Sequence, residues 1–415
     1  MKSKKLSIIS SYILAILFLT TFIFYQTCVV SAEEKTLRVG ATSNFGDRQG
    51  IQVKKCLELA AEQLNKAGGL VVKKERYRVE MIVYDDKFQA DAARAAFERL
   101  VYQDKVKIVF SIGTAPVLAG IEITDPNKVL LFHGGFSSQV LSPRYKYAIS
   151  TRPNTLGFAS SGVFWKKHLK PETKTAVVIA YDDHGGHVIS DAFEVMWKHC
   201  GLKILGKLYC KRGTVDLNPL ATKLKALNPD IVEYAGIQSG AGVLNLYKAI
   251  YQSGWRGKTS AEQGGQTTVP DIINVCGRPA VEGMTVMIID PTMIPNPSPL
   301  TMAFRKGYTE KYGEWEVEGL RVFDGWYYFV EAVKKADSLD PDAIIDAMQG
   351  LSVETVMGTA RMSRRPDLGN NRYVDSNNTK YFGEVRNGNV VYLDRVLAIE
   401  GIRMAEQIFG GGKWE

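Results

Sequence analysis

From Leu37 onward, short apolar runs alternate with segments in which apolar residues recur three and four positions apart, and this alternation constrains the chain more than any other feature. Leu37 to Ala41 reads as a buried strand. The next segment sets Val53, Cys56, Leu57, Ala60 and Leu64 on one helical face before Gly68-Gly69 stops it. Val79 to Tyr84 is the following strand, and Ala93, Ala96, Phe97, Leu100 and Val101 again share a helical face. Lys107 to Ile112, Val129 to Phe132, Ala176 to Tyr181, Ile204 to Tyr209 and Ile231 to Ala235 continue the strand series, with a helix through Val243, Leu246, Tyr247 and Ile250. The fold class is α/β. Strands separated by helices form parallel sheets with right-handed crossovers, whose ligands sit beyond the carboxyl ends of the strands. At 415 residues the chain is long enough for two domains, each with its own core.

Ahead of this pattern lies a different kind of segment. Lys2, Lys4 and Lys5 precede an apolar run centred on Ile13 to Tyr25, and Val30-Ser31-Ala32 supplies small residues at a cleavage position. Residues 1–32 read as a secretory signal peptide, a membrane anchor being the competing reading of so long a run. Cys28 lacks the preceding small residue that lipidation prefers. The expected location is periplasmic. Three units of the formal charge of +8 belong to this segment, and the modest remainder argues against a nucleic-acid partner. Cys56, Cys200, Cys210 and Cys276 remain in the mature chain and allow three complete pairings. Pairing Cys200 with Cys210 is disfavoured, because a strand between them holds them apart.

The strand ends are rich in glycine and hydroxyl residues: Ser43-Asn44-Phe45-Gly46, Gly113-Thr114-Ala115-Pro116, His133-Gly134-Gly135-Phe136-Ser137-Ser138, Tyr181-Asp182-Asp183-His184, Gly236-Ile237-Gln238 and Glu262-Gln263-Gly264-Gly265. Such loops let a ligand approach the backbone and offer amides to an anion. No GxGxxG follows the first strand, and no GxxxxGK[ST] or GxSxG motif occurs, which weighs against a nucleotide-dependent enzyme or an α/β hydrolase. Asp182-Asp183 beside His184 reads more simply as solvated loop residues than as an acid-base cluster, and the His184/His187 spacing alone is weak support for a metal.

Leu37-Arg38-Val39-Gly40, the turn Asn65-Lys66-Ala67-Gly68-Gly69, Tyr84-Asp85-Asp86, Ile112-Gly113-Thr114-Ala115, Arg152-Pro153-Asn154, Tyr181-Asp182-Asp183 and Gly319-Leu320-Arg321-Val322-Phe323-Asp324-Gly325 follow one another in the order and spacing of a known family. Almost the whole mature chain resembles the periplasmic ligand-binding proteins of the branched-chain amino acid ABC transporters, of type I binding-protein fold. The resemblance implies two Rossmann-like lobes joined by a three-strand hinge. Lobe one is expected over 36–150 plus 285–358 and lobe two over 151–284 plus 359–415. It further implies a monomer without cofactor or catalytic turnover, closing over a small molecule and delivering it to a membrane permease. A sensor of amides, urea or aromatic acids with the same two lobes is the alternative.

By the same resemblance Thr114, Ala115, Gly135, Phe136 and Ser137 occupy the loops that bind a ligand carboxylate, and Glu262 the position that takes its ammonium. Tyr181 stands across the cleft, and Phe45 with Phe136 would add aromatic lining. Pro116 departs from the family's pattern by removing a backbone donor, so the ligand is expected to differ from Leu, Ile or Val. Val322, Trp326, Phe329, Val330 and Val333 form the apolar face of a helix through 318–335, and Asn387-Gly388 marks a hairpin between Lys380 to Arg386 and Val390 to Ile399.

Overall fold

The structure is a computed structural model that describes residues 35–409 except 136, 152–154, 236, 238–240, 262–264, 366–369 and 377–378. In chain order, β1 (Lys35–Ser43), β2 (Leu70–Val72), β3 (Glu75–Asp85), β4 (Ile108–Ile112), β5 (Leu130–Gly134) and β6 (Ala148–Ser150) lead into β7 (Thr175–Tyr181), β8 (Lys203–Cys210), β9 (Ile231–Ala235), β10 (Lys258–Ala261) and β11 (Thr285–Ile288). After β12 (Ser352–Thr355), β13 (Gly358–Arg365) and β14 (Asn370–Ser376), the chain ends in β15 (Lys380–Arg386), β16 (Asn389–Val396) and a helix over Ala398–Phe409. Among the described residues these strands form two sheets, ordered β12-β13-β14-β6-β5-β4-β1-β3-β2 and β16-β15-β11-β10-β9-β7-β8. The chain therefore passes between sheets three times, after β6, β11 and β14.

The inner strands are parallel, as alternation with helices requires, and the antiparallel pairs β2-β3, β12-β13, β13-β14, β11-β15 and β15-β16 lie at or near the edges. Strand pleat divides each core into two faces. In β4, Ile108, Phe110 and Ile112 join one apolar cluster and Val109 the other; in β9, Val232 and Tyr234 face one side and Ile231 and Ala235 the opposite one. The helix Leu320–Ala336 packs as its periodicity suggests, with Trp326 and Phe329 buried and their ring centroids 6.1 and 6.3 Å from that of Phe110.

Two groups of strands pair in the sheet opposite to the one their place in the expected division suggests. The strand β11 stays in the second sheet, because Ser260 and Ala261 of β10 pair in parallel with Thr285 and Val286. The pair β13-β14 stays in the first sheet, because Tyr373 extends the ladder beside Ser150 of β6. The C-terminal hairpin forms as expected, but its second strand stops at Val396 and Ile399 lies in the last helix.

All four described cysteines are free thiols. Cys56 is buried in the first lobe's core, and that burial pushes its thiol far above the usual range. Dithiothreitol is accordingly expected to leave the melting temperature unchanged, and iodoacetamide to spare Cys56 until the protein is unfolded. A fall in melting temperature on reduction would reveal a stabilising disulfide.

Candidate functional site

In each sheet the strand order reverses at one place, and a crevice opens there beyond the strand ends. The first sheet reverses around β1, flanked by β3 and β4, and the second around β7, flanked by β8 and β9. The two crevices face each other and enclose a cavity of about 410 Å³. From the first lobe come Asp47 and Gln49 after β1, Phe88 after β3, and Ile112 to Pro116 at the end of β4. The second contributes Tyr181 to Gly186 and Ile189 after β7, Lys211 and Arg212 after β8, and Ala235 at the end of β9.

Local sequence builds both walls by the same device. Asp47 accepts the Gln49 N–H at 2.7 Å to start the helix Arg48–Lys66, and Asp183 accepts the Gly186 N–H at 2.7 Å to start the helix His184–His199. Each helix then brings a glycine against the preceding strand end. A Cβ at Gly50 would meet Asn44 O at 1.9 Å, and one at Gly186 would meet Tyr181 O at 2.0 Å. On the first lobe Gly113, at φ +91°, turns β4 into the helix Thr114–Thr124, which has no side-chain cap hydrogen bond. Thr114 is only 7% exposed, and a Cβ on Gly185 would lie 3.7 Å from its Oγ1, so these two helix starts confront one another across the cleft. Their amide ends both favour an anion.

Of the residues expected from sequence, Thr114, Ala115 and Tyr181 line the cavity together. Ser137 is buried beside it, accepting the Gln139 N–H at 3.2 Å and lying 3.4 Å from His184 Nε2 of the other lobe. Gly135 is buried against Val117 and Val140, while Phe45 is half-buried with its N–H on Asp85; neither is among the lining residues. Phe136 and Glu262 lie outside the described residues. The histidine pair takes separate partners, His184 facing Ser137 and His187 sitting 3.0 Å from Asp182 and stacked on Tyr209. Among the described residues no cluster of three or more His, Cys, Asp or Glu side chains is placed to hold a metal ion.

The residue that sequence reading missed is Arg212. Its guanidinium donates through Nε to Asp183 at 2.8 Å and lies 4.1 Å from the Tyr181 ring centroid and 5.9 Å from that of Phe88, which belongs to the opposite lobe. Burial, opposed by this cation, pushes the Tyr181 hydroxyl up to about 12, so it stays protonated. The available signal was the position of Lys211-Arg212 directly after β8, the strand next to the reversal. A further cross-lobe contact is the ion pair Arg48 to Asp271 at 3.2 Å. Replacing Asp183 by alanine removes both a helix cap and the Arg212 partner, and is expected to cost about 1 kcal/mol in urea unfolding.

Behind Ser137, His133 is buried at the end of β5, with its carbonyl accepting the Thr151 N–H at 2.9 Å. Burial lowers its pKa to about 3. The neutral ring is therefore the form that the fold favours, so its stabilising contribution is complete above about 6.5 and is lost as pH falls toward 3. Asp86 acts in the opposite sense: burial raises it to about 6, and its contribution is complete below about 4 and lost as pH rises through 6. Comparing wild type with His133→Asn cancels the Asp86 effect. The stability advantage of wild type is expected to shrink by a few kcal/mol between pH 7 and pH 4 in urea titrations; a constant difference would contradict this assignment.

A family model described as periplasmic binding protein matches residues 39–382. An amino acid binding protein of Pseudomonas aeruginosa is 25% identical over 341 residues, covering 81% of this chain and 86% of the relative. A leucine-, isoleucine-, valine-, threonine- and alanine-binding protein of the same organism is 24% identical over 340 residues, covering 80% and 85%. Among solved structures, leucine binding protein LivK of Thermotoga maritima aligns with TM-score 0.72 and 20% identity over 87% of this chain and 99% of its own. A solute binding protein of an ABC transporter from Rhodopseudomonas palustris, in complex with 3,4-dihydroxybenzoic acid, aligns with TM-score 0.70 and 21% identity over 88% and 98%. Among the described residues no helix is long and apolar enough to cross a membrane.

Proposed function

The chain belongs to the periplasmic binding protein family, with the type I fold, and from that premise we propose that it is the extracytoplasmic solute-binding component of an ABC transporter, exported by residues 1–32. The observation that carries this reading is a cavity whose two walls come from opposite lobes. A solute held there touches both lobes only when they are together, so its binding energy favours the closed arrangement. The three strand connections are the hinge. We assign 35–150 plus 289–376 to lobe one and 151–288 plus 377–409 to lobe two, a division that the sheet memberships support.

The solute is a carboxylate. Relatives and neighbours are named for amino acids or carry a benzoic acid, and the acid group is what these compounds share. In this reading the helix start at Thr114 and Ala115 receives the carboxylate, with Ser137 behind it, and Gly135 and Phe136 belong to the same segment of sequence. Tyr181 forms the opposing wall, and Glu262 takes an ammonium when the solute carries one. Nothing in this mechanism requires turnover, and the closed rim would be read by a permease.

A thermal-shift screen of the mature protein over amino acids, amides, urea and aromatic acids tests the reading. A solute at about 100 times its Kd is expected to add about 2.7 kcal/mol of stability, and to shrink the radius of gyration in X-ray scattering. Thr114→Val is expected to weaken the hit about tenfold, the loss of about one charge-assisted hydrogen bond. A screen in which no solute shifts the melt would remove the proposal.

A further inference from the structure

The cleft holds charge that carboxylate capture at Thr114 leaves unused. Three acids line it and each is engaged locally: Asp47 with the Gln49 N–H at 2.7 Å, Asp182 with His187 at 3.0 Å, and Asp183 with both the Gly186 N–H at 2.7 Å and Arg212 Nε at 2.8 Å. The two cations that face them are less committed. The Lys211 ammonium has no side-chain partner among the described residues, and Arg212 gives Asp183 its Nε–H alone. Its terminal nitrogens carry no hydrogen bond to any described residue.

The geometry of Arg212 is that of a prepared fork. The guanidinium lies over the Tyr181 ring, 4.1 Å from its centroid, and Asp183 holds its Nε side. The paired terminal N–H groups are left to one planar anion, for which a guanidinium is better shaped than an ammonium. Arg212 is 54% exposed and stands toward the mouth, whereas Thr114 is buried within. A cationic group on the outer end of a solute would meet Arg212 and Lys211 together and be repelled.

We propose that Arg212, supported by Lys211, selects a solute with two acidic ends: a dicarboxylate whose inner carboxylate meets the Thr114 helix start and whose outer one is gripped by the Arg212 fork. The proposal rests on the reading of this cleft as a solute site.

Isothermal titration of the mature chain with matched pairs tests it: L-glutamate against L-glutamine, glutarate against its monoamide, and phthalate against benzoate, with L-leucine and L-valine alongside. The expected result is that in at least one pair the diacid binds tenfold or more tightly, about 1.4 kcal/mol. Arg212→Met is expected to bring that ratio to about one, and Arg212→Lys to leave it in between, because charge is kept and the fork lost. The lysine variant, which keeps stem and charge, gives the same comparison should the methionine variant fail to fold. Binding in which the monoacid member of every pair is equal or tighter, or a diacid preference that survives Arg212→Met, overturns the proposal and leaves the solute-binding reading standing. Absence of binding by every compound overturns both.

Discussion

Replacing Gly186 by valine is expected to abolish solute-dependent stabilisation while also weakening the fold. The backbone of this residue packs against the end of β7, so a Cβ would stand 2.0 Å from Tyr181 O and 2.8 Å from Tyr181 C. Backbone atoms cannot turn aside as a side-chain tip can, and the helix His184–His199 would have to move outward. Overpacking of this kind costs about 1–3 kcal/mol or more. The same movement takes Asp183, Tyr181 and Arg212 out of register with Thr114 across the cleft, so affinity is expected to fall by about two orders of magnitude, as a misplacement on the order of 1 Å does elsewhere. Gly185→Ala is the control. A Cβ there makes ordinary contacts, 3.5 Å to Asp183 Oδ1 and 3.7 Å to Thr114 Oγ1, and stability is expected within about 0.5 kcal/mol of wild type. Urea unfolding and thermal shift with a bound solute measure both quantities. A Gly186→Val protein with wild-type stability and affinity would show that the strand end and helix start are not locked together.

Phe110→Ala is expected to cost about 3–5 kcal/mol, the range for deleting a buried aromatic ring from a packed core. Phe110 is fully buried on β4, stacked on Phe132 at 5.2 Å and in edge contact with Phe329 at 6.3 Å. Its neighbours Trp326 and Phe329 belong to the helix Leu320–Ala336, so the cavity left behind would loosen the joint between sheet and helix. Hydrogen exchange is expected to accelerate first in β4, β5 and that helix, and to leave β7 and β9 protected, because the rings concerned lie in the first lobe only. Uniform acceleration in both lobes would mean that the two halves unfold as one unit.

What could be read from the chain and what could not follows from how far each feature depends on partners distant in sequence. Strands buried on both faces are nearly continuous apolar runs, so Ile108–Ile112, Thr175–Tyr181 and Ile231–Ala235 were recognisable alone. Gly358–Arg365 and Asn370–Ser376 carry no such signature; GTARMSRR is basic and NNRYVDS mostly polar, and they are strands because β6 and β12 offer them ladders. That is why the sheet membership of β13 and β14 was not legible in the sequence. At the site, Tyr181 was recognisable because it ends β7, and Thr114 because it opens the helix just beyond the end of β4. Arg212 was not, since its approach to Tyr181 depends on the β7-β8 register that sets Tyr181 beside Cys210, two residues before it. Ser137 is expected from the sequence as a ligand residue, but its approach to His184 of the other lobe at 3.4 Å depends on how the lobes meet and was not legible.

The three passages between sheets also set an order on biogenesis. The edge of β6 is covered by β14, which begins only at Asn370, and β11 is flanked by β15, which begins at Lys380. A chain emerging from its amino end therefore carries two unfinished sheets with bare ladder edges until nearly all of it has been synthesised. Neither half can mature first, and a polypeptide stopped short of Asn370 would be a target for holding chaperones rather than a smaller working receptor.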